Sequence, residues 1–306
     1  RVAKAGAYVL SKHTDKAPTI LIGRDTRLSG TLIESAMVAG FLSYGANIKL
    51  LGVMPTPAVA YLTRKLQADA SVVISASHNT FEFNGIKYFS NKGMKIPDDI
   101  EEEIEEVMDS GKLDELSAVS EKIGVSEIRT DLLDEYVYFF RKNFDDNIAK
   151  YNRPDFKVVI DTANGATYEV ADKVFNALGI EHVIINNNPD GININKGCGS
   201  THLEMLKEYV VANKMSLGIA YDGDGDRCLA VDENGEEIDG DKLLAIIGNS
   251  LKAKGKLSKD TIVATVMSNL GFNKFAENNN LDFIQTKVGD RYVLEEMLKN
   301  GYNLGG

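Results

Sequence analysis

The stretch Ile20–Val53, ILIGRDTRLSGTLIESAMVAGFLSYGANIKLLGV, decides how the chain is read. An apolar run from Ile20 to Ile22 ends in polar and charged residues. Leu32 to Ala46 then carries apolar residues at helical spacing and closes near Gly45, and Asn47 to Val53 returns to a strand pattern. Strand, polar loop, helix, strand is the signature of a βαβ unit. The same order returns in VVIDTANGATYEVADKVFNALGIEHVII (158–185), with Asp161 in the place of Asp25 and Gly179 in the place of Gly45. A looser copy is IVATVMSNLGFNKFAENNNLDFIQT (262–286). Copies more than a hundred residues apart imply separate α/β domains, not a solenoid of short repeats.

Between the copies, EEEIEEVMDSGKLDEL (101–116) reads as an acidic surface helix with Ile104, Val107 and Met108 on one face. LLDEYVYFFRKNF (132–144) reads as a second helix leading into the next unit. The boundaries expected are therefore 1–130, 131–237 and 238–306. The chain also opens at Arg1 within a helical pattern, RVAKAGAYVL, which suggests that a segment precedes it.

Composition narrows the class. The 306 residues are 43% hydrophobic and 26% charged, which is globular and not disordered. A formal charge of −11 disfavours a nucleic-acid partner, but a few cations in a cleft still suffice for a small phosphate. Cys198 and Cys228 lie in unrelated contexts, so neither a disulfide scaffold nor a thiolate metal site is expected. No apolar run of about 18 residues and no signal-peptide pattern occurs, which predicts a cytoplasmic protein with no membrane partner.

Two stretches carry chemistry. ASVVISASHN (70–79) is an apolar strand that delivers Ser75, Ser77, His78 and Asn79 at its end. In open α/β sheets ligands bind beyond the C-terminal ends of the strands, although serine and asparagine there are also ordinary turn residues. LGIAYDGDGDRCLAVDENGEEID (217–239) reads as two strands flanking Asp222, Asp224 and Asp226, with a hairpin turn at 232–235. Three carboxylates at alternate positions repel one another unless a cation sits among them, and the glycines let the backbone fold tightly around it. An EF-hand is rejected: Glu233 fits its twelfth position, but Arg227 stands where its glycine belongs and both flanks are strands. An aspartyl-nucleophile phosphohydrolase remains an alternative. Hard oxygen ligands with positions left over suit Mg²⁺, and a phosphorylated Ser77 would supply a further oxygen.

With SASHN, NGIK and DGDGDR in that order, the chain resembles the α-D-phosphohexomutase superfamily. GRDTRLSG, MPTPAVAYLT, NPDGININKGCGSTH, TVMSNLGFNKF and TKVGDRYVLEEM extend the likeness over nearly its whole length. The resemblance implies successive three-layer α/β/α domains with mixed sheets, here domains 1 to 3. It also implies a first strand and glycine-rich loop before Arg1, and a Glu-x-Ser-Gly-His loop and fourth domain after Gly306.

The activity implied is that of a phosphosugar mutase, an isomerase interconverting glucosamine 6-phosphate and glucosamine 1-phosphate through a 1,6-bisphosphate, feeding UDP-N-acetylglucosamine and peptidoglycan synthesis. Mannose or glucose phosphate is the runner-up substrate, and a phosphosugar-binding protein without turnover the alternative from another class. By the same resemblance Ser77 carries the phosphoryl group, and Ser77, Asp222, Asp224 and Asp226 hold Mg²⁺. Lys87 exchanges a proton, its pKa expected to be lowered by desolvation and nearby cations. His78 assists, Arg24, Arg27 and Arg227 clamp phosphoryl oxygens, and Gly289, Asp290 and Arg291 touch the sugar. Glucosamine or glucose 1,6-bisphosphate is the expected activator, and a homodimer is left open. Two departures from the family stand near the serine: Thr80 where proline is common and Phe83 where an acidic residue is common. Loss of proline should loosen the loop. Thr201 and Glu204 read as a capping box at a helix start.

Overall fold

Alternation along β1 (Thr19–Arg24) builds the first sheet. Ile20 and Ile22 enter one apolar cluster with Phe41, Val72 and Ile74, while Leu21 enters another with Leu51, Leu62 and Val73. A strand buried on both faces needs helices on both. One face is covered by α1 (Val2–Leu10), α2 (Gly30–Tyr44) and α4 (Asp98–Asp109), the other by α3 (Thr56–Lys65) and α5 (Leu132–Asn143). Each fully buried leucine or isoleucine in such clusters contributes about 1.5–3 kcal/mol. The helix read from Leu32 to Ala46 ends where expected, at Gly45 with φ +101°. This computed structural model describes residues 1–143 and 155–306; the end of the second expected helix, at Phe144, lies outside the described residues.

β2 (Asn47–Val53), β3 (Ala70–Ile74), β4 (Ile86–Ser90) and β5 (Ser126–Ile128) complete the first sheet, in the order β4-β3-β1-β2-β5. β4 runs antiparallel to β3; the other pairs are parallel. From β1 the chain crosses to β2 on one side, and from β3 it turns to β4 on the other. Between β1 and β3, therefore, connections leave in opposite directions, and a crevice opens at their C-terminal ends.

The second sheet repeats this plan. β7 (His182–Ile185), β6 (Val158–Asp161), β8 (Leu217–Tyr221) and β9 (Cys228–Asp232) lie side by side in that order, with only β8 and β9 antiparallel. Its switch point falls between β6 and β8. Helix α6 (Val170–Ala177) sends Val170 and Val174 into the same cluster as Leu62 and Tyr136, which joins the two sheets through α3, α5 and α6. The turn at 232–235 forms as expected, with Gly235 N–H donating to Asp232 O at 3.0 Å. The capping box does not: α7 (Glu204–Ala212) starts after Leu203, with no side-chain cap.

Contacts divide the described chain into two units, Arg1–Gly235 and Glu236–Gly306. The second holds β10 (Glu237–Ile238), α8 (Gly240–Ala253), β11 (Thr261–Thr265), α9 (Leu270–Asn278), β12 (Asp282–Thr286) and α10 (Asp290–Asn300). β11 and β12 are parallel, and Ile262, Phe272, Ala276 and Leu281 form their core. Among the described residues no helix is long and apolar enough to cross a membrane.

Gly165, after β6, marks how closely the loops of the second switch point meet. A Cβ there would lie 2.4 Å from Gly223 O and 2.7 Å from Gly223 Cα, a clash with backbone that cannot swing away. Gly165→Ala should therefore destabilise the Arg1–Gly235 unit by about 1–3 kcal/mol. Gly240→Ala, whose Cβ would meet open space, should leave stability unchanged or slightly raised. Thermal unfolding of the two variants beside the parent checks this, and equal midpoints would refute it.

Candidate active site

The two switch points deliver two loops. After β3, Ser75 is buried and donates its hydroxyl to Asp25 Oδ2 at 2.6 Å, while its Oγ accepts the Ser77 N–H at 2.9 Å. The chain then turns through Ser77 at φ +53°, a left-handed conformation unusual for serine. Arg27 holds that turn from beneath. Its guanidinium is fully buried; Nε donates to Asp25 Oδ2 (2.8 Å), Nη1 to the carbonyls of Thr80 and Phe83, and Nη2 to those of Ser77 (3.0 Å) and Asn79 (2.7 Å).

All five N–H donors of Arg27 are thus engaged by protein. This corrects the expectation that Arg27 clamps substrate: no donor is left to face a ligand, and its contacts position the serine loop instead. The same bonds hold the carbonyls of Thr80 and Phe83, so the loop is pinned although proline is absent.

After β8, Asp222 and Asp224 are buried and Asp226 reaches toward solvent. Gly225 at φ +70° and the Gly225 N–H to Asp222 O bond (3.1 Å) curl the backbone. One oxygen from each aspartate falls within 4.8 Å of the others. Ser77 Oγ donates to Asp222 Oδ2 at 2.6 Å, and Asp222 Oδ1 accepts the Arg227 N–H at 3.2 Å. Asp224 Oδ2 accepts from Thr56 Oγ1 and from Lys87 Nζ, both at 2.6 Å. Its other oxygen, Oδ1, is buried with no hydrogen-bond partner.

An ionised carboxylate oxygen left bare in the interior is costly unless a cation meets it. This donor set of hard oxygens therefore fits a divalent metal such as Mg²⁺. Electrostatics agree. Burial, reinforced by the charge on Asp224, pushes the Asp222 carboxyl well above the usual range, and burial likewise raises Asp226. For Asp224 burial acts in the same sense, but the Lys87 charge and the hydrogen bonds from Lys87 and Thr56 outweigh it and hold its pKa low.

Lys87 stands on β4 opposite Val73, within 3.7 Å of Asp226 as well. Burial alone would lower its pKa, yet Asp224 and then Asp226 overcome that and raise it. The lowered value expected from the sequence is thus corrected for the arrangement described: carboxylates, not cations, are its nearest charged neighbours.

Arg227 Nη1 lies 2.9 Å from His78 Nδ1. A guanidinium can only donate, so Nδ1 accepts and the ring proton sits on Nε2. Burial and then the Arg227 charge lower the His78 pKa and keep it neutral. Arg24 donates Nε to Glu34 Oε2 (3.4 Å) and Nη1 to Asp25 O (3.3 Å) at the start of α2. Gly289, Asp290 and Arg291 belong to the second unit, where Gly289 (φ +135°) precedes α10 and the Arg291 guanidinium carbon lies 5.4 Å from the Tyr292 ring centre.

Sequence reasoning assigned no role to Thr56 or Asn195. Thr56 follows Pro55 at the start of α3, where a hydroxyl reads as helix-start chemistry. Asn195 sits in a polar loop after β7, one of many asparagines there. Both reach the site only through contacts that the fold creates.

Comparison with known proteins identifies the family. Three profiles match, described as phosphoglucomutase/phosphomannomutase alpha/beta/alpha domain I (residues 1–115), domain II (134–235) and domain III (239–306). The phosphoglucosamine mutase of Acetivibrio thermocellus is 52% identical over 307 residues, an alignment spanning 100% of this chain and 67% of that protein. A crystal structure of a phosphoglucomutase/phosphomannomutase family protein from Burkholderia thailandensis shares the fold at a TM-score of 0.83 and 24% identity, over 100% of this chain and 65% of that one. The N-acetylphosphoglucosamine mutase of Aspergillus fumigatus, solved with GlcNAc-6P and magnesium, matches at a TM-score of 0.57 and 16% identity, over 97% of this chain and 52% of that one. With all three domain profiles satisfied in order, and with half its residues shared by a full-coverage relative, the chain belongs to the phosphoglucomutase/phosphomannomutase family.

Proposed function

We propose that this chain is a phosphosugar mutase that interconverts glucosamine 6-phosphate and glucosamine 1-phosphate, with Ser77 as the residue that gives and receives the phosphoryl group. The single observation that carries the assignment of Ser77 is its hydroxyl 2.6 Å from Asp222, at the meeting point of two switch-point loops. The substrate reading rests on the relatives named phosphoglucosamine mutase. We place the domain boundaries near 130 and 237, assign the sugar contacts to Gly289, Asp290 and Arg291, and expect a cytoplasmic enzyme activated by glucosamine or glucose 1,6-bisphosphate.

Phosphoryl transfer has little covalent chemistry for a protein to perform, so positioning and charge do most of the work. Asp222, Asp224 and Asp226 would hold Mg²⁺ together with the phosphorylated Ser77, and the ion supplies positive charge for the oxygens of the transferring group. Arg227 and Arg24 add donors for those oxygens. Ser77 passes its phosphoryl group to one sugar hydroxyl and takes back the phosphoryl carried by the other, so the protein ends as it began. Lys87 Nζ exchanges a proton with the sugar. The attacking hydroxyl must lose its proton, so Lys87, held charged by Asp224 in the arrangement described, first gives up its own proton, takes the hydroxyl's in the first transfer and returns it to the sugar oxygen freed in the second. Neutral His78, with its proton on Nε2, offers one further donor.

Incubation of the protein with Mg²⁺ and glucose 1,6-bisphosphate should add one phosphate, read by intact mass, and Ser77→Ala should abolish that addition and nearly all turnover. The label surviving in Ser77→Ala would move the nucleophile to Asp222 and restore the phosphohydrolase reading. Chelation with EDTA should suppress turnover reversibly. Thr56→Val removes the hydroxyl that orients Asp224, so Mg²⁺ affinity should fall about 10–100-fold while Thr56→Ser retains it. Calorimetric titration with Mg²⁺ checks this, and equal affinities would remove Thr56 from the site.

A further inference from the structure

Asn195 is only 2% exposed, and its backbone N–H donates to Ala163 O at 3.0 Å. Its side-chain Nδ2 donates twice, to Ser77 O at 2.9 Å and to Asn79 O at 2.8 Å. These are the two carbonyls that also receive Arg27 Nη2, at 3.0 and 2.7 Å. Two donors, one from the loops of each sheet, therefore close on a single short turn. That turn holds Ser77 in its left-handed conformation, and Asn195 is left-handed as well, at φ +56°.

The amide is also wedged against the metal loop. A Cβ on Gly223 would fall 2.6 Å from Asn195 Nδ2 and 2.6 Å from Ser77 O, so the glycine admits both groups at once. Asn195 touches the serine carbonyl and not its hydroxyl. Whatever it does to chemistry passes through the backbone of Ser77. Arg27 fixes the turn to its own sheet through Asp25, whereas Asn195 reaches it from the sheet that carries Asp222.

We propose that Asn195 is a positioning residue for phosphoryl transfer: its amide fixes the Ser77 turn against the metal loop and keeps Oγ in reach of the three aspartates. The inference rests on the reading of Ser77 as the phosphoryl carrier. In-line transfer tolerates little misplacement, and an error of about 1 Å costs on the order of 100-fold in rate.

Two variants test it. Asn195→Asp keeps the shape but turns an acceptor toward both carbonyls; Asn195→Ala removes the group. Hydrogen exchange at the 75–79 amides should be at least ~10-fold faster in both, with β3 amides protected as in the parent. The maximal rate of Ser77 phosphorylation by glucose 1,6-bisphosphate, with Mg²⁺ in excess, should fall about 10–100-fold while half-saturation shifts less than about 2-fold. Loop exchange as in the parent, or an unchanged maximal rate, overturns the proposal. Faster exchange in β3 as well overturns it too, since Asn195 would then support the fold at large. If the parent itself takes no phosphate, the mutase reading fails separately, and loop exchange alone then decides whether Asn195 fixes the turn.

Discussion

A guanidinium with no exposure to solvent must have every donor matched, and Arg27 meets that demand by dictating the shape of its surroundings. One side is answered by Asp25, at the end of β1, and the rest by carbonyls of the turn after β3. The turn can take no other course without stranding a buried charge, a loss of about 3–5 kcal/mol when such a pair is broken. The left-handed serine follows from this. Strain at Ser77 is sustained because the carbonyls on either side of His78 are each held by two donors.

The second constraint is the mutual repulsion of Asp222, Asp224 and Asp226. Burial raises the pKa of two of the three, and the third is held low chiefly by the Lys87 charge and the hydrogen bonds it receives from Lys87 and Thr56. Its other oxygen is bare. The polypeptide alone thus compensates the cluster on one side. A divalent cation would complete it on the other and give the bare oxygen its partner.

The two sheets solve the same topological problem twice. In each, the chain leaves the first strand toward one edge and the third toward the other, opening a crevice at the strand ends. Asp25 and Asp161 occupy matching places, and both are buried acceptors tying down their own loops: Asp25 takes the Arg27 and Ser75 donors, Asp161 the N–H groups of Ala163 and Gly199. What the second sheet lacks in a serine turn it has in the metal loop. The serine turn and the metal loop, the two products of one plan, face each other.

The βαβ repeats were legible in sequence because helix and strand periodicities are local: Gly45 ends α2 where the pattern stops, and the SASHN and DGDGD loops stand at strand ends as their flanking apolar runs require. Three aspartates two residues apart were legible as a cluster that could hold a metal ion, since their repulsion is local too. The partners of Arg27, Lys87, Thr56 and Asn195 were not legible. Arg27 read as a phosphoryl clamp and proved buried; Lys87 read as partly desolvated among cations and proved paired with Asp224, 137 positions away. Asn195 and Thr56 make their hydrogen bonds across 118 and 168 positions. Only tertiary structure sets such distances, because the energy of a buried polar group depends on which partners the fold brings within hydrogen-bond reach, and sequence spacing does not encode that.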